Sequence, residues 1–89
     1  MATLFVRHAV ADFTKWKQAY DDFDAERRSM GVTSDGVYQL DGQPNDVTVY
    51  HEFGTAEAAK SFAANPRLKE VMVSAGVQGT PSIWITQRV

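Results

Sequence analysis

Two histidines are the only side chains in the sequence with an ordinary pKa near neutrality, and both fall inside apolar runs. His8 lies in Leu4-Phe5-Val6-Arg7-His8-Ala9-Val10, and His51 in Val47-Thr48-Val49-Tyr50-His51-Glu52-Phe53. Both runs read as strands. Side chains alternate across a strand, so His8 shares a face with Leu4, Val6 and Val10, and His51 shares one with Val47, Val49 and Phe53. An imidazole kept from water is either a hydrogen-bonded core group or the reacting end of a pocket. Two imidazoles within reach of each other could divide acid and base work. One, neutral, accepts a proton; the other, charged or hydrogen-bonded, stabilises an enolate, and their coupling lowers one pKa. That pairing suits aldol-type ring closure, or deprotonation of a phenol before reaction with oxygen. His8 and His51 are the expected catalytic residues. In the plainer alternative each imidazole bonds a backbone carbonyl or a Tyr hydroxyl and fills space.

The side chains expected to line a pocket beside them are Trp16, Tyr20, Tyr38, Phe62, Asn65 and Met72. Trp16 and Tyr20 belong to one helical stripe with Phe13. Set against a second helix of small residues with Phe62 as its one large apolar group, that stripe would leave room for a planar guest. Tyr20 and Tyr38 carry hydroxyls that either reach a ligand or reach solvent from a core position. No metal is expected. Thiolate sites need cysteine, which the chain lacks, and no Asp or Glu is expected on the inward face with the histidines.

The elements that position these residues follow from pattern. Asp12 is an N-cap for a single amphipathic helix whose stripe runs Phe13, Trp16, Tyr20, Phe23 and Met30, with Arg27 in the same stripe and snorkelling at its margin, and Gly31 as the stop. Val32 to Leu40 and the His51 run form a hairpin about the turn formers Asp41-Gly42-Gln43-Pro44-Asn45-Asp46. Thr55 caps the Ala-rich helix, Asn65-Pro66 restarts a shorter one, and Gly76 ends it. Val77 to Pro81 reads as irregular, and Ile83-Trp84-Ile85-Thr86 as the last strand. The order strand, helix, strand, strand, helix pair, strand predicts an α+β fold, the ferredoxin-like split β-α-β-β-α-β arrangement, with helices on one face of an antiparallel sheet. Strands one and three then lie side by side, with both histidines on one face. The opposite face carries Phe5, Arg7, Tyr50 and Trp84, more aromatic surface than a small monomer leaves open, so a second sheet is expected to cover it. Arg7 and Glu52 are expected to pair across strands there.

Composition narrows the function classes. Eighty-nine residues form one domain, 1–89, with a thin core of its own. Nine Lys and Arg stand against eleven Asp and Glu, and the cations are scattered, which argues against nucleic acid. No apolar stretch approaches the ~20 residues of a membrane span, and the start of the chain shows no basic region or cleavage site, so a cytoplasmic protein is expected.

Three segments carry a family resemblance over nearly the whole chain. They are Phe5-Val6-Arg7-His8 with Asp12-Phe13 and Trp16-Lys17, then Asn45-Asp46-Val47-Thr48-Val49 with Glu52-Phe53, and Ala63-Ala64-Asn65-Pro66 with Leu68. The sequence resembles the dimeric α/β barrel superfamily, in particular its small antibiotic-biosynthesis-monooxygenase-like and cyclase-like members. The resemblance implies a homodimer with two sheets packed face to face, and a pocket in each subunit between sheet and helices. By parity that pocket is on the His8 and His51 side. It implies cofactor-free acid/base chemistry on an aromatic or polyketide-like molecule, as cyclase or monooxygenase. The alternative is a dimeric small-molecule-binding or structural protein without chemistry. For an oxygenase the resemblance calls for Asn, Trp, Tyr and Arg near the pocket, and Asn65, Trp16, Tyr20 and Arg67 are of those kinds. Haem degradation does not fit, because both histidines are on strands. A cavity of a few hundred Å³ beside them would mark a ligand site, and a filled core would favour the alternative.

Overall fold

A computed structural model describes all 89 residues. Strand β1 (Ala2–Val10) is followed by helices α1 (Phe13–Asp22) and α2 (Asp24–Ser29), then by the hairpin of β2 (Val32–Leu40) and β3 (Gln43–Phe53). Helices α3 (Ala56–Ala64) and α4 (Pro66–Ser74) lead to β4 (Val77–Gln87). The sheet is antiparallel in the order β2-β3-β1-β4, so the two histidine strands are the central pair, as the ferredoxin-like reading requires. No helix is long and apolar enough to cross a membrane.

Capping behaves as the residue types dictate. The Asp12 carboxylate accepts from the backbone of Thr14 and Lys15, Thr55 accepts from Ala58, and Asn65 accepts from Arg67 at the start of α4. Asn45, at the entry to β3, accepts from the Phe13 amide and ties α1 to the central strand.

Four elements depart from the pattern. The expected single first helix is two, broken at Phe23, whose amide is shared between the Ala19 and Tyr20 carbonyls. The turn of the hairpin is only Asp41-Gly42, with Gly42 at φ 77°, and Gln43 already belongs to β3. Pro44, Asn45 and Asp46 are absorbed by a register shift between Gln39 and Leu40, since Gln39 faces Val47 while Leu40 faces Gln43. Strand β4 begins at Val77 instead of after Pro81. The irregularity expected there survives as a bulge, because Arg7 pairs with Ser82 but Ala9 with Gln78, leaving His8 without a β4 partner.

The core lies between the sheet and the helices. One cluster joins Leu4, Val6, Phe23, Val32, Phe53, Phe62 and Leu68; a second joins Val10, Trp16, Val47 and Val49. The other sheet face is open. Phe5 and Trp84 stack at 5.6 Å between centroids, Tyr38 and Tyr50 lie at 6.2 Å, and Trp84 is 44% exposed. Arg7 does not pair with Glu52, which stands opposite Thr3; it makes a bidentate contact with Asp46 at 2.8 and 3.0 Å. Alternation alone cannot foresee this pair, since Asp46 sits at the strand entry where the register shift ends.

Candidate functional site

The central strands and all four helices enclose a cavity of about 50 Å³. His8, Trp16, Tyr20, Phe62 and Met72 line it, together with Val6, Phe23, Arg27, Val49, His51, Leu68, Val71 and Ala75. Five of the six expected pocket side chains are thus accounted for by two fates: Trp16, Tyr20, Phe62 and Met72 are in the wall, and Tyr38 is not. Tyr38 falls on the open face, 61% exposed, because the register sets it opposite Thr48 and not opposite an inward residue. The sixth, Asn65, also lies outside the wall; its side chain caps α4 and contacts the Met30 sulfur at 3.9 Å. Arg67 is turned away as well, in a bidentate pair with Glu26 at 3.0 Å.

The two imidazoles are buried, His8 to 7% exposure and His51 to 3%, but they are not a contacting pair. His8 stands opposite Val47 and His51 opposite Leu4, so four residues of strand separate them, about 13 Å at strand rise. Aromatic rings fill the interval. His8 meets Trp16 edge-on at 5.4 Å, Trp16 stacks on Tyr20 at 5.0 Å, Tyr20 lies 6.0 Å from His51, and His51 lies 5.1 Å from Phe62. The expected coupling of one imidazole to the other is therefore absent. Burial alone is enough to lower both pKa values. His8 is pushed below its ordinary value by burial, against upward pulls from its own backbone carbonyl and then from Asp46. His51 is pushed down to about 4, by burial first and then by the Arg27 guanidinium, with Asp35 pulling the other way. Both are neutral at pH 7, and the Nδ1 of each is buried without a hydrogen-bond partner.

The polar groups around His51 are the ones alternation did not find. Arg27, expected at the helix margin, is 3% exposed. Its place in the stripe with Trp16, Tyr20 and Phe23 carries it inward, and local partners hold the head there. The Tyr20 carbonyl, which also accepts from the Phe23 amide, accepts from Arg27 Nη1 at 2.5 Å, and the guanidinium lies over the Tyr20 ring at 3.6 Å. Asp24 at 3.2 Å and Asp35 at 3.7 Å balance its charge, while its Nε has no partner. Asp35 corrects the expectation that no carboxylate shares the inward face. It stands opposite His51 on β2, accepts the Tyr20 hydroxyl at 2.5 Å, and accepts from Arg28 at 2.5 Å. Burial pushes the Asp35 carboxyl up, but the Tyr20 hydroxyl and the two guanidiniums outweigh it and hold the group below the usual carboxylate range. Tyr20 is pushed up by burial and by its bond to Asp35, so its proton stays on. Its oxygen lies 3.4 Å from His51 Nε2. Parity with Val37 was the one signal for Asp35 in the sequence; which residue it would face depended on the register shift. No three His, Cys, Asp or Glu side chains gather as a metal-holding group.

No protein-family model matches the sequence, and no curated protein matches it. Solved structures do. A crystal structure of an antibiotic biosynthesis monooxygenase superposes with TM-score 0.75 at 10% identity, covering 100% of this chain and 99% of that one. The fold is antibiotic-biosynthesis-monooxygenase-like. A Bordetella bronchiseptica protein provisionally given the same name reaches TM-score 0.83 at 12% identity, with 99% and 96% covered. SnoaB, a cofactor-independent oxygenase from Streptomyces nogalater, reaches 0.74 at 11% identity, with 99% and 94% covered. At such identities the likeness concerns the backbone, and one backbone hosts many chemistries.

Proposed function

We propose that the protein is a small homodimeric pocket enzyme that acts on an aromatic or polyketide-like molecule by cofactor-independent acid/base chemistry. The observation that carries this reading is His51: a buried imidazole, neutral at pH 7, among the residues lining an apolar cavity, with its Nδ1 buried and lacking a hydrogen-bond partner. It would take a proton from a phenol or from a carbon beside a carbonyl. The resulting anion then closes a ring onto a carbonyl of the same molecule, or reacts with dioxygen. His8 would serve the far end of an elongated substrate, since it is too distant to share a proton with His51. Trp16 and Phe62 offer ring surface to a planar guest, whereas the Tyr20 ring is already covered by Trp16 and Arg27. Fold likeness to a cofactor-independent oxygenase supports the class of chemistry.

The cavity volume favours a second reading. About 50 Å³ is well below a usual ligand site, so a guest enters only if Val71 and Met72 on half-buried α4 positions give way. If they do not, the chain is a dimeric protein with a packed core and no chemistry. Both readings take the open aromatic face as the dimer interface, because Phe5, Tyr50 and Trp84 have no cover within one chain. Sedimentation at micromolar concentration should give a dimer, and a clean monomer overturns that part.

Titrating labelled protein with a panel of electron-rich phenols and β-diketones tests the ligand. Signals of His51 and Met72 should move while those of Trp84 stay. On any compound turned over, His51→Gln should cut the rate by about two to four orders of magnitude with the melting temperature little changed. No binding by the whole panel at millimolar concentration supports the packed core.

A further inference from the structure

Building on the catalytic reading of His51, we propose that Asp35, acting through Tyr20, is a positioning residue that fixes the tautomer of His51 and makes Nδ1 the proton acceptor. The argument is one of donors and acceptors. An ionised carboxylate only accepts. Asp35 takes the Arg28 guanidinium on Oδ1 and the Tyr20 hydroxyl on Oδ2. Tyr20 has a single proton, and it is committed to Asp35. Towards His51 the Tyr20 oxygen therefore offers lone pairs alone, and its 3.4 Å approach to Nε2 is favourable only when Nε2 carries the hydrogen. A neutral imidazole has one N–H. Placing it on Nε2 leaves a lone pair on Nδ1, the atom that is buried with no partner.

The direction of the chain is imposed from its outer end. Arg28 is half exposed and Arg27 buried, and neither can accept a hydrogen bond, so the carboxylate they flank cannot turn into a donor. When Nδ1 takes a proton from the substrate, the electron pair stays on the substrate and His51 becomes an imidazolium. Its Nε2–H remains on Tyr20, and the nearby Asp35 charge offsets the new one. Tyr20 loses no proton at any point.

The proposal makes a prediction that a purely structural role for Asp35 does not. In Asp35→Asn, Arg28 can be met only by the amide oxygen, which turns the NH₂ towards Tyr20. The Tyr20 hydroxyl, now receiving a hydrogen bond from the amide, is released to donate to His51 Nε2. The imidazole must then carry its hydrogen on Nδ1. Long-range nitrogen–proton correlation spectra of ligand-free protein at pH 7, labelled at histidine nitrogen and assigned with His8→Gln, read this directly. Wild type should show Nε2 protonated; Asp35→Asn should interchange the protonated and unprotonated resonances of His51 and leave His8 alone. Adding Tyr20→Phe should abolish the clean interchange, because no hydroxyl is left to donate to Nε2. Asp35→Ala carries the same expectation as Asp35→Asn should the latter fail to fold. A wild-type protein with Nδ1 protonated, or a folded Asp35 variant that keeps Nε2–H, overturns the proposal. The spectra need no substrate, so a protein that shows the interchange yet turns nothing over counts against the catalytic reading alone.

Discussion

At one end of the cavity His8 meets the edge of Trp16; at the other His51 lies between Tyr20 and Phe62. Both imidazoles hang from central strands, both are buried, and both have an orphan Nδ1. What separates them is the second layer. Among side chains, the one charged influence on His8 is Asp46, itself engaged by exposed Arg7, whereas His51 is backed by Tyr20, Asp35, Arg27 and Arg28. Burial makes an imidazole neutral wherever it occurs. A defined tautomer needs neighbours whose own protons are already committed, and only the His51 end has them.

The comparison breaks most visibly at Arg27. Arg27→Met removes a buried cation that serves the Tyr20 carbonyl and balances Asp24 and Asp35, and it should cost about 4 kcal/mol, the usual loss on breaking a buried ionic group. Denaturant unfolding measures it. In the surviving folded protein the His51 pKa should move up, because Arg27 lowers it, while that of His8 stays. A loss below about 1 kcal/mol would mean that the guanidinium is ordinary surface charge.

Acid sharpens the same contrast. His51 titrates at about 4 when folded and at its ordinary value when unfolded, so the unfolded chain takes the proton first as pH falls. Its contribution is intact above pH ~6.5, declines between there and pH ~4, and is constant below, for a total of about 3 kcal/mol. Wild type and His51→Gln should differ in their stability slopes across that window by this amount. Carboxylates common to both proteins cancel. His8→Gln should remove less of the slope, since His8 lacks the Arg27 contribution that adds to the downward shift at His51.

The smallest effect expected is at the other end. Asp46→Asn removes the carboxylate that pulls His8 upward, so the His8 titration should shift slightly lower and that of His51 should not move. Proton spectra of the two imidazoles against pH check both at once. An equal shift at His51 would show that the two ends are electrostatically joined.

Much of the fold was legible because it rests on local rules. Alternation placed His8 and His51 inward, Asp12, Thr55 and Asn65 capped the helices where their side chains predict, and the order of elements fixed which strands are central. Trp16, Tyr20, Phe62 and Met72 followed from helical periodicity. Tyr38 and Asn65 did not, the one because of strand register and the other because its amide is spent on a cap. Arg27 was misread for a physical reason: helical phase puts it in the stripe with Trp16, Tyr20 and Phe23, but an arginine there is expected to lift its head to solvent, and only tertiary partners, the Tyr20 carbonyl, Asp24 and Asp35, keep the guanidinium inside.

By itself the sequence determined which faces are apolar, where helices start, and that two imidazoles must leave water together. Tertiary structure decided what surrounds each one. The hairpin's register shift set Asp35 opposite His51, and the packing of α2 beneath Tyr20 closed Arg27 into the same spot. Both depend on how strands slide and helices bend to fill a common core, a balance of long-range packing that no local window of sequence contains.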